Sequence, residues 1–241
     1  SGTASLRLSS VVPVICVPSF AMATSPLTEP LTGPRSMGPA GWTPMTGPPP
    51  VPRSRHSPVG LFGSSALHAA DFVTVDGLRH FPNIPSEEMF TTPDPQRVDG
   101  VVTATRPLEV SGSVMDGIRV EFAGGRAVRI DAERGAEALR SIAASDDGAS
   151  LLGELALVDG EGRIGPLGTV FYDTLLDENA ASHIALGSAY SMGVEDAADK
   201  ARINNSRIHV DFMIGSPEIA VDGLTADGTA VPLLRSGAWQ V

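Results

Sequence analysis

Ile208-His209-Val210-Asp211-Phe212-Met213-Ile214 sets two polar side chains, two residues apart, in an otherwise apolar run. Strand side chains alternate faces, so positions two apart project the same way, about 7 Å from one another. The run therefore predicts a strand over 208–213 with His209 and Asp211 on one face. A buried imidazole and a buried carboxylate must each find a partner. One reading is a hydrogen-bonded polar pair in the core. The other is a pair of ligands delivered to a metal by one rigid strand.

Further polar residues stand in similar surroundings. Glu154 is the single charge in Leu151-Leu152-Gly153-Glu154-Leu155-Ala156-Leu157-Val158, where a strand is predicted over 155–158. It reads as a solvated strand edge or as a buried carboxylate on a cation. Asp177-Glu178-Asn179-Ala180-Ala181-Ser182-His183 leads into a helix predicted over 180–190. Glu178 then lies at the helix mouth, where acids favour the dipole, and His183 lies one turn in. His183 and Tyr190, seven apart, share a face of that helix. Glu87 and Glu88 follow Asn83-Ile84-Pro85-Ser86, and adjacent residues of an extended chain face opposite sides. At most one of the two reaches a given metal, and spacing does not choose between them. His80 reads as surface or strand edge, and His56 and His68 receive no role.

Other strands are predicted over 72–75, 98–105, 108–110, 118–122, 127–130, 170–173 and 218–221, with a helix over 136–144. Gly124-Gly125 marks a hairpin, because glycine tolerates positive φ. Strands and helices do not alternate regularly, so the class is α+β, a mixed-sheet domain with a few helices.

Composition changes near residue 70. The chain carries 17 basic and 28 acidic side chains; residues 1–70 hold four of the former and one of the latter, leaving 13 and 27 beyond. Twelve of the 20 prolines also fall in residues 1–70. Prolines remove backbone donors, so this part is expected to be a disordered or mistranslated tail, with residues 71–241 as the folded domain. The net charge of −11 argues against nucleic acid or an anionic membrane as partner. Cys16 alone cannot make an internal disulfide, which suits a reducing compartment. The apolar stretch 8–23 is interrupted by Pro13 and Pro18 and reads poorly as a secretory leader.

Four blocks together carry a resemblance: Asn83 to Glu88, Gly153 to Val158, Phe171 to Gly187, and His209 to Gly215. They closely resemble the aminopeptidase T / aminopeptidase II / aminopeptidase S family of metallo-aminopeptidases. Arg106-Pro107-Leu108 and Val231-Pro232-Leu233 fit the same order. The resemblance implies two divalent metal ions, zinc or cobalt, with magnesium or manganese as alternatives. Their ligands would be Glu88, Glu154, His183, His209 and Asp211, joined by Glu178, with Tyr190 at the site and Glu87 as candidate base. It further implies removal of amino-terminal residues from peptides with a free N-terminus, in the cytoplasm, by a homodimer. Family members carry a whole domain ahead of the first glutamate motif, where this sequence has its proline-rich stretch. The alternative expectation is thus a catalytically inactive fragment that keeps the ligand set.

Overall fold

A computed structural model describes residues 14–18, 56–69, 71–83, 85–225 and 228–241, the first of these by backbone pairing alone. The run around His209 forms the strand His209–Met213, as its period of two requires. Its neighbours in a five-stranded sheet are, in order, His183–Gly187, Leu152–Val158, Glu88–Thr91 and His68–Ala69. All the pairings in this sheet are antiparallel.

One face of the sheet is apolar. Leu155, Leu157, Ile184, Leu186, Val210 and Phe212 alternate along three adjacent strands and enter one buried cluster. Each such side chain stabilises the fold by roughly 1.5–3 kcal/mol. The amphipathic helix Ala136–Ala143 adds Leu139 and Ala143 to the same cluster. A three-stranded sheet (Arg126–Asp131, Arg119–Ala123, Gly100–Thr103) and a six-stranded sheet complete it. The hairpin predicted at Gly124-Gly125 is present, both glycines having positive φ.

The largest departure from the sequence reading lies at 180–190, where no helix forms. A short helix, Thr174–Asp177, and a 3-10 turn, Glu178–Ala180, precede the strand His183–Gly187. Every residue of that strand is buried. Pairing on both edges and burial on both faces outweigh the modest helix propensity of its Ala and Leu. His183 and Tyr190 therefore share no helix face. The strand expected at 170–173 is also absent. Asp173 instead caps the short helix, its carboxylate accepting the Leu175 N–H at 3.1 Å. The expected strand 98–105 is shorter, Gly100–Thr103, with Val98 ending a separate strand, Pro93–Val98, and the one at 218–221 appears as Ala220–Leu224.

Strand pairing begins before the composition shift. His56–Leu61 joins the six-stranded sheet between Val14–Pro18 and Pro93–Val98, and its Val59 and Leu61 are core residues. The expectation of disorder for residues 1–13 and 19–55 lies outside the described residues. Among the described residues, no helix is long and apolar enough to cross a membrane.

Candidate metal centre

The alternation that sends leucines into the core sends polar residues to the opposite face. Register makes this explicit: Ala156 pairs with both His183 and Phe90, Val158 with Glu88, Glu154 with Ala185, and Ala185 with Asp211. Glu88, Glu154, His183, His209 and Asp211 thus rise from four neighbouring strands on one side. The floor beneath them is Ala156 and Ala185, whose small, fully buried side chains leave room above.

Glu154 is central. One of its oxygens lies 3.5 Å from His183 Nε2 and the other 3.6 Å from His209 Nε2. Glu88 Oε2 approaches His183 Nε2 at 3.1 Å, and Asp211 Oδ1 approaches His209 Nε2 at 3.4 Å. The five residues form two triads, Glu88–Glu154–His183 and Glu154–His209–Asp211, each with ligand atoms within 4.8 Å of one another. Glu154 belongs to both.

Three of the converging atoms, Glu88 Oε2, His183 Nε2 and Asp211 Oδ1, are buried and make no hydrogen bond. Buried polar atoms are nearly always satisfied, so orphans in both triads fit cations held there. The rings are oriented to match. His183 Nδ1 lies 3.2 Å from the Ala181 carbonyl, and His209 Nδ1 lies 2.7 Å from the Ser188 carbonyl. A carbonyl only accepts, so each Nδ1 carries the hydrogen and each Nε2 faces the cluster, the usual support for a ligating histidine.

The protonation balance of the metal-free centre shows the strain of gathering these charges. Burial pulls the His209 pKa down, but the Asp211 carboxylate 3.4 Å from its Nε2 raises it to about 9. His183 is likewise raised well above its ordinary value, the adjacent Glu154 and Glu88 carboxylates outweighing burial. Burial raises Glu154. For Asp211, burial is outweighed by His209, and its pKa falls. Glu178 is pushed up to about 8 by burial and then by the charge of Glu88.

Glu178 and Tyr190 line the same cavity as the cluster, a cleft of about 420 Å³. The Tyr190 ring meets Phe90 edge-on at 6.0 Å and lies 5.3 Å from the His209 ring. Burial raises the phenol's pKa, and the nearby carboxylates raise it further. Glu87 is not brought to the cluster. Its carboxylate turns the other way and accepts the N–H groups of Arg163 at 2.7 Å and Ile164 at 3.4 Å. Strand geometry, which faces Glu87 and Glu88 oppositely, makes the separation the sequence left open.

Two residues that the sequence reading passed over shape the centre. Asn179, almost fully buried, accepts the Glu87 N–H at 2.6 Å and donates to the Leu175 carbonyl at 3.0 Å. It ties the turn bearing Glu178 to the strand bearing Glu88. Thr92 donates to the Tyr190 carbonyl at 2.6 Å. The bonds of Asn179 to Glu87 and of Thr92 to Tyr190 span 92 and 98 residues, so neither has a local signal.

Two sets of paired carboxylates and imidazoles sharing one glutamate make a candidate centre for metal ions, and sequence comparison gives the chain a family. Residues 59–239 match the model of the thermophilic metalloproteases (M29), and the chain belongs to that family. Over 188 residues it is 51% identical to aminopeptidase T of Thermus thermophilus, covering 76% of this chain and 46% of that protein. Aminopeptidase 2 of Geobacillus stearothermophilus is 43% identical over 188 residues, with 75% of this chain and 46% of the relative covered. The solved structure of wild-type AmpT from Thermus thermophilus superposes with a TM-score of 0.74 at 47% identity, covering 77% of this chain and 47% of the other. The chain spans just under half the length of these relatives.

Proposed function

We propose that this chain forms the centre of a two-metal aminopeptidase that removes amino-terminal residues from peptides with a free N-terminus. The observation that carries this reading is the Glu154 carboxylate, which offers one oxygen to each of two ligand triads. Glu88 and His183 would hold one divalent cation, and His209 and Asp211 a second, with Glu154 between them. Glu178, which lines the same cavity as Glu88, would be a further ligand. Mixed imidazole and carboxylate donors suit zinc or cobalt, with magnesium or manganese less well matched. When bound, such a pair supplies Lewis acidity toward a carbonyl and toward water.

The remaining work falls to the chain. Tyr190, about half exposed at the mouth of the cleft, is placed to donate its phenol hydrogen to charge developing on a carbonyl oxygen. Among the described residues lining the cleft none is Lys or Arg, so its acidic wall attracts a free ammonium and favours chain ends over interior bonds. Glu87, tied to the 163–164 backbone, is not placed to move a proton at this centre. A cytoplasmic homodimer remains the expectation from the family resemblance.

The test is elemental analysis of the purified chain together with hydrolysis of an amino-acid chromogenic amide, with and without chelator. Two metals per chain and chelator-sensitive turnover support the proposal; a metal-free chain that cleaves equally well sinks it. A second reading, ion binding without turnover, is favoured by the chain's spanning under half of its relatives. Two bound ions with no hydrolysis at any added metal select it.

A further inference from the structure

Tyr190 is half exposed, and its phenol makes no hydrogen bond within the described residues. Its ring lies against those of Phe90 and His209, and its aim depends on where the backbone of residues 188–194 lies. Several hydrogen bonds hold that backbone, among them Ser188 N–H to the Ile208 carbonyl and Ala189 N–H to the Asn204 carbonyl, and one reaches Tyr190 itself. Thr92, 1% exposed, donates its hydroxyl to the Tyr190 carbonyl at 2.6 Å, and the Gly193 N–H donates to the same oxygen at 3.2 Å.

The fit around this hydrogen bond is close. A β-carbon at Gly193 would stand 2.6 Å from both the nitrogen and the hydroxyl of Thr92, so the segment lies flat against it only because position 193 is glycine. Ser65 donates its hydroxyl to the Thr92 carbonyl at 2.9 Å, and Ala66 donates its N–H to the Gly193 carbonyl at 3.1 Å. Thr92 directly follows Glu88–Thr91, the strand that supplies Glu88 to the cluster and Phe90 to the Tyr190 ring. The hydroxyl thus couples a ligand-bearing strand to the segment carrying the phenol.

We propose that Thr92 is a positioning residue, its hydroxyl fixing the Tyr190 carbonyl so that the phenol is held over the metal cluster. This rests on the reading of Tyr190 as a donor to the substrate carbonyl. Misplacing a catalytic group by about 1 Å costs up to about a hundredfold in rate, so a hydroxyl that sets an unbonded ring has leverage on turnover.

The experiment compares Thr92→Val, which keeps the shape and loses the hydroxyl, with Thr92→Ser, which keeps the hydroxyl, in the full metal-loaded chain. By NMR, the ring-to-ring nuclear Overhauser contact between Tyr190 and Phe90 should weaken or vanish in Thr92→Val and survive in Thr92→Ser. Kinetically, Thr92→Val should lower kcat about tenfold with KM within about twofold, and Thr92→Ser should restore it. In a Tyr190→Phe background the same substitution should have no further effect, as a residue acting through that phenol requires. A ring contact that is unchanged in Thr92→Val overturns the proposal, as does a full additive loss of kcat in the Tyr190→Phe background. If the wild-type chain cleaves nothing, the function proposed above fails, and the ring contact alone decides the position of Tyr190.

Discussion

Gly153 lies so close to Gly187 that a β-carbon on it would stand 2.3 Å from the Gly187 carbonyl oxygen. The strand bearing Glu154 approaches its neighbour here only because position 153 lacks a side chain. The register between the two strands also slips between Leu152 and Glu154, the irregularity that places the Glu154 carboxylate. Gly153→Ala should therefore cost about 1–3 kcal/mol of stability and displace Glu154 from both imidazoles. Denaturant unfolding and metal content check this; an unchanged midpoint with full metal loading contradicts it.

Because Glu154 belongs to both triads and Glu88 to one, their substitutions should differ in kind. Calorimetric titration with zinc should find two sites in the wild type, one strong site in Glu88→Gln and severe weakening of both in Glu154→Gln. Two undisturbed sites in Glu154→Gln would remove the shared-ligand reading.

Stability and metal uptake should respond to pH in opposite directions. Without metal, the pKa values of His209 and Glu178 are raised, to about 9 and about 8, from ordinary values of 6.5 and 4.5. A group whose pKa is raised on folding contributes stability that is present below its unfolded value and lost as pH climbs through the folded one. The metal-free chain should lose stability from about pH 4.5 to 8 through Glu178 and from about pH 6.5 to 9 through His209. Metal needs these groups deprotonated, so its affinity should rise over the same interval. The difference in Tm between metal-loaded and metal-free protein should widen between about pH 6 and 9. A gap that narrows contradicts the assignment of these residues as ligands.

Glu87→Ala should leave metal content unchanged and turnover within about threefold, since the carboxylate faces away from the cluster. It should cost roughly 1 kcal/mol, because the Arg163 and Ile164 N–H groups lose their acceptor. Abolished turnover in a variant of wild-type stability would return Glu87 to the chemistry.

Much of the site was legible as residue types in context. Glu154 and the His209–Asp211 pair stand out as polar residues in apolar runs; the strand expected over 208–213 forms as His209–Met213, and the one expected over 155–158 reaches back to Leu152 and so takes in Glu154. The hairpin at Gly124-Gly125 and the helix at Ala136–Ala143 were equally plain, each being set by local conformation. Less legible was everything that depends on register between distant strands. His183 looked helical because Ala and Leu are good helix formers, while burial between two other strands decided the outcome. Which of Glu87 and Glu88 reaches the cluster required knowing which face of the strand turns inward. Thr92 gave no sign, since its partner Tyr190 lies 98 residues away, and the contact of Asn179 with Glu87, 92 residues away, was equally hidden.

The strand His56–Leu61 has a practical consequence for anyone shortening this polypeptide. A version cut to start at residue 71, where composition changes, would strip the partner from one edge of Pro93–Val98 and remove Val59 and Leu61 from the interior. The bared backbone would invite association between molecules, and the Ser65 brace behind Thr92 would go with it. Poor solubility of such a version would then reflect where it was cut, and say nothing about the fitness of its metal ligands.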